Sequence, residues 1–216
     1  MNEKVINKLS YGLFVCTAKE GDKDNGCIIN TVMQVTADPL RIMVAINKLN
    51  YTHDMVMRTK KCHISIISED AKFDLFKHFG FQSGKDVDKF STTSGQWMAD
   101  NMNFCITTPN DVKCITKGTN GHISLYVENT LDLETHTLFI CRVVDGEVLS
   151  DVPSATYDYY HKHIKEDMQK VGTTPEGATI WRCKICGFEY VGDELPADYI
   201  CPLCKHPASD FEKVEK

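Results

Sequence analysis

Residues 181–186, WRCKIC, and residues 201–204, CPLC, contain two Cys-x-x-Cys pairs separated by fourteen residues. Pairs at this spacing can bring four thiolates around one point, and a tetrahedron of four sulfurs suits zinc or iron. The segment from residue 181 onward is too short to bury enough apolar surface to fold unaided, so metal binding would have to supply its folding energy. The spacing therefore predicts a four-cysteine metal module and leaves the choice between iron and zinc open.

The residues around these cysteines follow a recognisable pattern. Trp181 precedes the first pair, Gly187-Phe188 follows it, the second pair has the form Cys-Pro-x-Cys, and Phe211-Glu212 closes the segment. This pattern resembles rubredoxin, and the short interval between the pairs is more similar to the compact modules fused to rubrerythrins than to free-standing rubredoxins. The resemblance implies a rubredoxin-like module with one mononuclear iron. Its ligands would be Cys183, Cys186, Cys201 and Cys204.

The composition of the chain limits its partners and its location. Its 216 residues are enough for one full domain and a small module, and 42% of them are hydrophobic, which is enough for a packed core. A formal net charge of -6 argues against nucleic acid as a partner, because phosphate binding requires a basic face. The sequence has no apolar run near the ~18 residues of a membrane helix and no signal-peptide core, so we expect a cytoplasmic protein without a membrane span.

Six further cysteines occur singly, mostly within apolar runs. A free cysteine usually packs as a small buried hydrophobe, and none of the six has an activating neighbour motif. We therefore predict core packing for all of them, in a reducing compartment that keeps the C-terminal thiolates available for metal. The histidines likewise show no metal-binding pattern in the sequence. The six cysteines are Cys16, Cys27, Cys62, Cys105, Cys114 and Cys141.

Short β-prone runs with few long helices predict that residues 1–171 form a mainly β domain with some α-helix, organised as a barrel. Residues 172–179 have the composition of a linker, and residues 180–216 contain the metal module. Within the first domain, Asp24-Asn25-Gly26 predicts a hairpin turn. Thr52 is predicted to be the N-cap of a short helix.

Four polar segments lie at the ends of the predicted strands and helices. Each combines hydroxyls, amides or a lysine, and a bound phosphate needs such convergent donors together with positive charge. Ordinary turn chemistry also accounts for any one of them, and the sequence contains neither a G-x-G-x-x-G motif nor a P-loop. The segments are residues 30–33, 47–48, 51–53 and 83–85.

Residues 11–149 as a whole resemble the flavin reductase family, whose fold is the FMN-binding split barrel. The resemblance is carried by Gly12-Leu13-Phe14-Val15-Cys16-Thr17, Ile29-Asn30-Thr31-Val32-Met33-Gln34-Val35-Thr36, Asp38-Pro39-Leu40, Asn50-Tyr51-Thr52-His53 and His136-Thr137-Leu138-Phe139-Ile140-Cys141-Arg142-Val143. It implies FMN as a cofactor and a homodimer with the flavin at or near the subunit interface. The residues along the isoalloxazine edge would be Asn30, Thr31, Val32 and Met33. The other flavin-binding residues, which include those near the ribityl chain and the phosphate, would be Asn47, Lys48, Tyr51, Thr52, Ser83, Gly84 and Lys85.

One motif departs from this family. Many relatives carry Gly-Asp-His before the last long strand, whereas this chain has Glu134-Thr135-His136, so only the histidine is shared. Because a bound flavin carries the redox chemistry and the protein orients it, no catalytic side chain is predicted.

The combination of the two modules resembles the high-molecular-weight rubredoxins. That resemblance implies an electron route from NADH or NADPH, directly or through a separate reductase, to FMN, to the iron and then to an acceptor. The implied acceptor is a flavodiiron protein that reduces oxygen or nitric oxide. Two alternatives stay open on the sequence: a flavin reductase that releases reduced FMN and has a structural zinc tail, and a non-enzymatic module that stores flavin or docks through a zinc-stabilised tail.

Overall fold

A computed structural model of the chain describes residues 3–91, 103–165, 179–183, 188–201 and 207–214. The chain divides into two units, Met1–Glu166 and Asp167–Lys216. The predicted linker, 172–179, lies outside the described residues except for Thr179, so its boundaries stay predictions. None of the helices in the described ranges has the length and apolar composition needed to cross a bilayer.

The first unit is mainly β with a few short helices, as predicted. In chain order it contains a 3-10 helix (Glu3–Lys8), β1 (Phe14–Glu20), β2 (Lys23–Ile29), β3 (Val32–Ala37), β4 (Leu40–Asn47), α1 (Tyr51–Thr59), β5 (Lys61–Ile67), α2 (Phe73–Gly80), β6 (Cys105–Thr107), β7 (Lys113–Ile115), β8 (Thr119–Leu133), β9 (His136–Val148), α3 (Tyr157–Tyr159) and a π-helical stretch (Tyr160–Ile164). Seven strands form one antiparallel sheet in the order β2-β1-β5-β8-β9-β4-β3, and β6 pairs with β7 in a separate hairpin.

The sheet is rolled into a barrel by a very short connection. β2 and β3 lie at opposite edges of the sheet, yet only Asn30 and Thr31 separate them in the chain. Three residue steps cover at most roughly 10 Å, so the two edges have to meet at this corner. One buried cluster accordingly contains Ile29 from β2 together with Val44 from β4 and Met55 from α1. The seam between β2 and β3 is where the barrel is split.

The β1–β2 turn differs from the prediction. Gly21 and Asp22 join the two strands, and Gly21 has a φ of 58°, a left-handed conformation that glycine adopts without strain. The predicted turn at residues 24–26 is therefore wrong, because these residues lie inside β2. The period of two along a strand then buries Asn25 with Cys27 on the inner face of the barrel.

The start of α1 also differs from the prediction. Asn50, with extended backbone, takes the N-cap position, whereas Thr52 lies in the first turn and is fully buried. Thr52 is not the cap because its hydroxyl accepts a hydrogen bond from Asn25 across the barrel interior. The helix ends where Lys60 turns into the left-handed region at φ 57° and donates its amide to the Val56 carbonyl.

The other face of the sheet packs beneath α2 and the C-terminal helical turn. Phe73, Phe76 and Phe79 repeat every three residues and therefore share the buried face of α2. The ring of Tyr160 packs against Phe76 with 4.5 Å between centroids. Burial of an aromatic side chain of this size contributes about 1.5–3 kcal/mol, so the helical layer is firmly attached to the barrel.

The second unit contains a small three-stranded sheet. Its elements are β10 (Ile180–Cys183), β11 (Glu189–Val191), a 3-10 helix (Ala208–Asp210) and β12 (Phe211–Val214). The strand order is β11-β10-β12, and both pairings are antiparallel. Arg182 and Glu189 face each other across β10 and β11, and the guanidinium donates twice to one carboxylate oxygen at 3.0 and 2.8 Å.

Candidate flavin and metal sites

The corner between β2 and β3 leaves polar groups at the seam of the barrel. Thr31 donates from its hydroxyl to Asn30 Oδ1 at 3.1 Å, and its carbonyl accepts from the Ala45 amide at 3.1 Å. Val32 and Met33 begin β3, which is an edge strand, so one side of its backbone faces away from the ladder with β4. The seam therefore offers backbone amides and carbonyls at the place predicted for the isoalloxazine edge.

The end of β4 places Asn47 and Lys48 beside the β8–β9 turn. Asn47 is in register with His136 of β9, and its Oδ1 accepts from the Leu49 amide at 2.8 Å. Lys48 donates from Nζ to both carboxylate oxygens of Asp132 at 2.7 and 2.6 Å, and this bond lowers the pKa of Asp132. The Lys48 charge is thus already balanced by a carboxylate, with which a phosphate would have to compete.

Asn25 connects two of the predicted segments. Its Nδ2 donates to Thr52 Oγ1 at 2.9 Å inside the barrel. A Cβ atom at Gly84 would stand 2.2 Å from Asn25 Oδ1, so the Gly84 backbone lies directly against the asparagine. The Oδ1 atom itself is buried and has no hydrogen-bond partner among the described residues. The structure therefore brings Thr52 and the 83–85 loop together through a residue that was not predicted.

A signal for Asn25 was present in the sequence. Asn25, Cys27 and Ile29 alternate along β2, and all three are buried. Period-two alternation predicts a common face, which would have pointed Asn25 into the barrel. The turn preference of Asp24-Asn25-Gly26 masks that signal, although the turn itself is formed by Gly21 and Asp22.

Hydrogen-bond donors and positively charged groups lie near the junction of Asn25, Thr52 and Gly84. The Lys23 ammonium lies 4.5 Å from the centre of the Tyr51 ring, within the range of a cation–π interaction. Ser83 Oγ accepts from the Lys85 amide at 3.2 Å, and Lys85 is exposed. Hydroxyls, loop amides and ammonium groups are the partners of a ligand that carries alcohols and a phosphate. Asn25 Oδ1 adds a buried acceptor that has no partner among the described residues and could accept from a ligand alcohol. The donors and this acceptor therefore fit the side chain of FMN, which carries both alcohols and a phosphate.

His53 fixes the first turn of α1 against the sheet. Its two ring nitrogens lie 2.9 Å from Asp54 Oδ1 and 2.8 Å from Thr137 Oγ1 of β9. Its ring also packs edge-on against Phe139, with 5.7 Å between centroids. These contacts position Tyr51 at the junction and give both imidazole nitrogens a partner.

The second unit brings two of the four predicted metal ligands into one core. Cys183 and Cys201 are 1% and 0% exposed and share a cluster with Phe211. The Cys183 amide donates to the Phe188 carbonyl at 2.8 Å, which closes the chain segment between these two residues. The cluster is lined by further apolar and aromatic side chains, namely Trp181, Phe188, Tyr190, Leu195 and Tyr199.

The chemistry of this core fits a metal ion. Thiolates are costly to bury in an aromatic environment unless a cation neutralises them, and soft sulfur donors select iron or zinc. Cys186 and Cys204, the other two predicted ligands, lie outside the described residues. The pairing of Cys183 with Cys201 in one core is what a four-cysteine site requires of its first and third ligands.

Comparisons with known proteins match both units. A family model described as "Flavin reductase like domain" matches residues 6–166, and one described as "Rubrerythrin, rubredoxin-like domain" matches residues 181–212. The high molecular weight rubredoxin of Moorella thermoacetica is 31% identical over 99% of this chain and 100% of that protein. The ferric-chelate reductase (NAD(P)H) of Archaeoglobus fulgidus is 32% identical over 84% of this chain and 98% of that protein. An FMN-binding protein from Thermus thermophilus has a similar fold, with a TM-score of 0.55 and 21% identity over 65% of this chain and 73% of that one.

These matches coincide with the two sites. The flavin reductase-like match covers the unit that contains the Asn25 junction, and the rubredoxin-like match covers the core around Cys183 and Cys201. The alignment with the M. thermoacetica protein spans both units. The chain is therefore a flavin oxidoreductase of the flavin reductase-like family that carries a C-terminal rubredoxin-like domain, and it belongs with the high-molecular-weight rubredoxins.

Proposed function

We propose that the protein passes electrons from NADH or NADPH, through FMN in the barrel, to a mononuclear iron and on to an external acceptor. The iron ligands are Cys183, Cys186, Cys201 and Cys204. The observation that carries this proposal is the presence, in one chain, of a flavin reductase-like barrel and a rubredoxin-like core that buries two cysteines together. Bound FMN would supply a centre that takes up two electrons as a hydride and gives them up singly, and iron a centre that holds one electron.

The barrel residues would bind and orient the flavin. The backbone at the start of β3, from Thr31 to Met33, is the surface for the ring edge, because this strand has an open side. Ser83 and Lys85 are the donors for the phosphate, and Thr52 with Asn25 holds their loop in place. This arrangement is supported by Asn25, which contacts two of the predicted segments, Thr52 and the 83–85 loop.

The second unit would protect the iron from water. Cys183 and Cys201 are enclosed by aromatic side chains, so the site has a low local dielectric, which together with hydrogen bonds to sulfur sets the potential of such a centre. We propose a flavodiiron protein as the acceptor, because it would use electrons that arrive one at a time. The rubredoxin-like fold of residues 181–212 is the support for this class of partner.

Anaerobic addition of NADH to the purified chain tests the proposal. We expect both the flavin band and the ferric-thiolate bands to lose intensity, and two one-electron acceptors to be reduced for each NADH oxidised. A chain whose tail contains zinc, and whose flavin alone is bleached, would contradict the proposed route. That result, together with loss of reduced flavin on gel filtration, would instead support a flavin reductase with a structural zinc tail.

Lys85→Ala should weaken FMN binding by about 1–3 kcal/mol, as expected for the loss of a charge-assisted hydrogen bond. The dissociation constant can be measured by titrating the apoprotein with FMN and following flavin fluorescence. Lys77→Ala is the matched control, because Lys77 is another exposed lysine and its ammonium pairs with Asp74 on α2. Equal affinity in Lys85→Ala and the wild type would remove Lys85 from the phosphate site.

We also propose that the protein is a cytoplasmic homodimer. Exposed apolar side chains lie on the half of the sheet that contains the β3 edge, and contact with a second copy would remove them from water. A sedimentation mass equal to one chain would contradict the dimer. The side chains are Met33 and Val35 on β3, Leu40 on β4, and Leu131 and Leu133 on β8.

A further inference from the structure

A layer of polar side chains is buried between the seven-stranded sheet and the β6–β7 hairpin. In the register of β5 and β8, His63 is opposite Ser124 and Ser65 is opposite His122. None of the four residues is more than 4% exposed. A buried layer of this kind is costly unless its polar atoms have partners.

Cys114 of β7 joins two of these residues in one cluster. Its Sγ atom and one ring nitrogen from each of His63 and His122 all lie within 4.8 Å of one another. Zinc bonds of about 2.0–2.3 Å place the ligands of a tetrahedral site roughly 3.3–3.8 Å apart. Side-chain shifts of about 1 Å would therefore bring the three donors onto a single ion.

Several ring nitrogens in this cluster are unsatisfied. His63 Nδ1 lies 3.0 Å from Ser124 Oγ, whereas His63 Nε2 is buried and has no partner among the described residues. Both ring nitrogens of His122 are also buried without a hydrogen-bond partner among the described residues. A hydrogen bond at one imidazole nitrogen fixes the tautomer and leaves the lone pair of the other nitrogen available to a metal. His63 is arranged in this way.

The third donor also has a supporting contact. Ser65 Oγ accepts from the Ile115 amide at 2.9 Å, which leaves its own proton available to Cys114 Sγ at 3.8 Å. Burial raises the pKa of Cys114 to about 11, so without metal this residue is a thiol. Metal binding would release that proton to solvent and form one metal–sulfur bond and two metal–nitrogen bonds.

We propose that His63, His122 and Cys114 bind one divalent transition metal ion of the zinc type. Two imidazoles and a thiolate are a donor set that zinc accepts, and the fourth position can take water or a carboxylate. Glu147 Oε2 is 3.9 Å from His122 Nε2, and the Glu147 side chain is 72% exposed, so a carboxylate with access to solvent lies next to the buried cluster. The ion fastens the β6–β7 hairpin to β5 and β8. It is a different site from the four-cysteine centre of the second unit.

Metal analysis of the full chain, with iron in its C-terminal centre, tests this site. The protein is freed of loosely bound metal with a chelator, given one equivalent of Zn²⁺ and desalted, and zinc and iron are then counted in the same sample. The wild type should retain about one zinc beyond its iron, and Zn²⁺ should raise its Tm. Cys114→Ala and His122→Gln should lose both the extra zinc and the Tm shift.

Cys105→Ala is the matched control. Cys105 lies on β6 opposite Ile115, in the same hairpin but outside the three ligands, so this variant should keep the zinc and the Tm shift. Equal zinc retention in the wild type and in both ligand variants would overturn the proposal. A titration of the iron-loaded wild type with Co²⁺ needs no substitution: visible bands of tetrahedral cobalt with one thiolate are expected, and their absence would also overturn it.

Discussion

Replacing Cys201 with serine should remove the iron centre and stop electron delivery to one-electron acceptors, while FMN stays bound to the barrel. Cys201 is fully buried beside Cys183, and serine offers a hydroxyl where the metal requires a soft thiolate. Removing a residue that only hydrogen-bonds to a metal ligand typically costs roughly 10–100-fold in metal affinity or activity. Loss of a ligand itself should therefore lower NADH-driven acceptor reduction by at least about 100-fold. The measurements are iron content, the visible spectrum and the rate of acceptor reduction.

The control for this variant is Cys105→Ser, which changes a half-buried cysteine of the first unit. It should leave the iron content, the flavin content and the rate unchanged. Loss of flavin from Cys201→Ser would show that the two units do not function separately. Undiminished acceptor reduction in Cys201→Ser would show that the iron does not lie on the electron route.

Gly84→Ala should weaken FMN binding, although it adds a single methyl group. The new Cβ would stand 2.2 Å from Oδ1 and 2.5 Å from Cγ of Asn25, and this asparagine is held by Thr52. Overpacking of this kind costs about 1–3 kcal/mol, which corresponds to roughly 5- to 150-fold in Kd if the loop shifts away from the ligand. Titration of the apoprotein with FMN measures the change.

A double-mutant cycle isolates the cause. In an Asn25→Ala background the colliding oxygen is absent, so Gly84→Ala should have much less effect there than in the wild type. The difference between the two backgrounds measures the coupling of the 83–85 loop to the barrel interior. The same loss in both backgrounds would mean that the contact with Asn25 does not position the loop.

The metal module was predictable because its signal is local. Cys183, Cys186, Cys201 and Cys204 fall within 22 residues of sequence, and their spacing alone predicts a common point. The barrel was predictable from runs of β-prone residues and from a family resemblance. The cysteine spacing is complete within one short segment, and the β-strand pattern repeats along several segments, so both can be recognised in the sequence.

The junction around Asn25 and the buried cluster around His63 could not be predicted from the sequence, because each brings together residues that are far apart in the chain. Asn25 reaches Thr52 and Gly84 only after β2 has been rolled toward α1 and the loop that follows α2. His63 and His122 become neighbours through the β5–β8 register, which no local motif specifies. Single residues of this kind look like ordinary turn, cap or core positions in the sequence, so their roles emerge only from the fold.

The two-residue connection through Asn30 and Thr31 has a consequence for engineering the protein. The width of the opening at the edge of β3 is limited by the covalent length of that connection, because β2 and β3 are not hydrogen-bonded neighbours in the sheet. Inserted residues at this corner would let the opening widen toward a bulkier aromatic ligand, whereas a longer Gly21-Asp22 turn would leave its dimensions untouched. The length of the connection between β2 and β3 thus limits the size of the ligand that the barrel can admit.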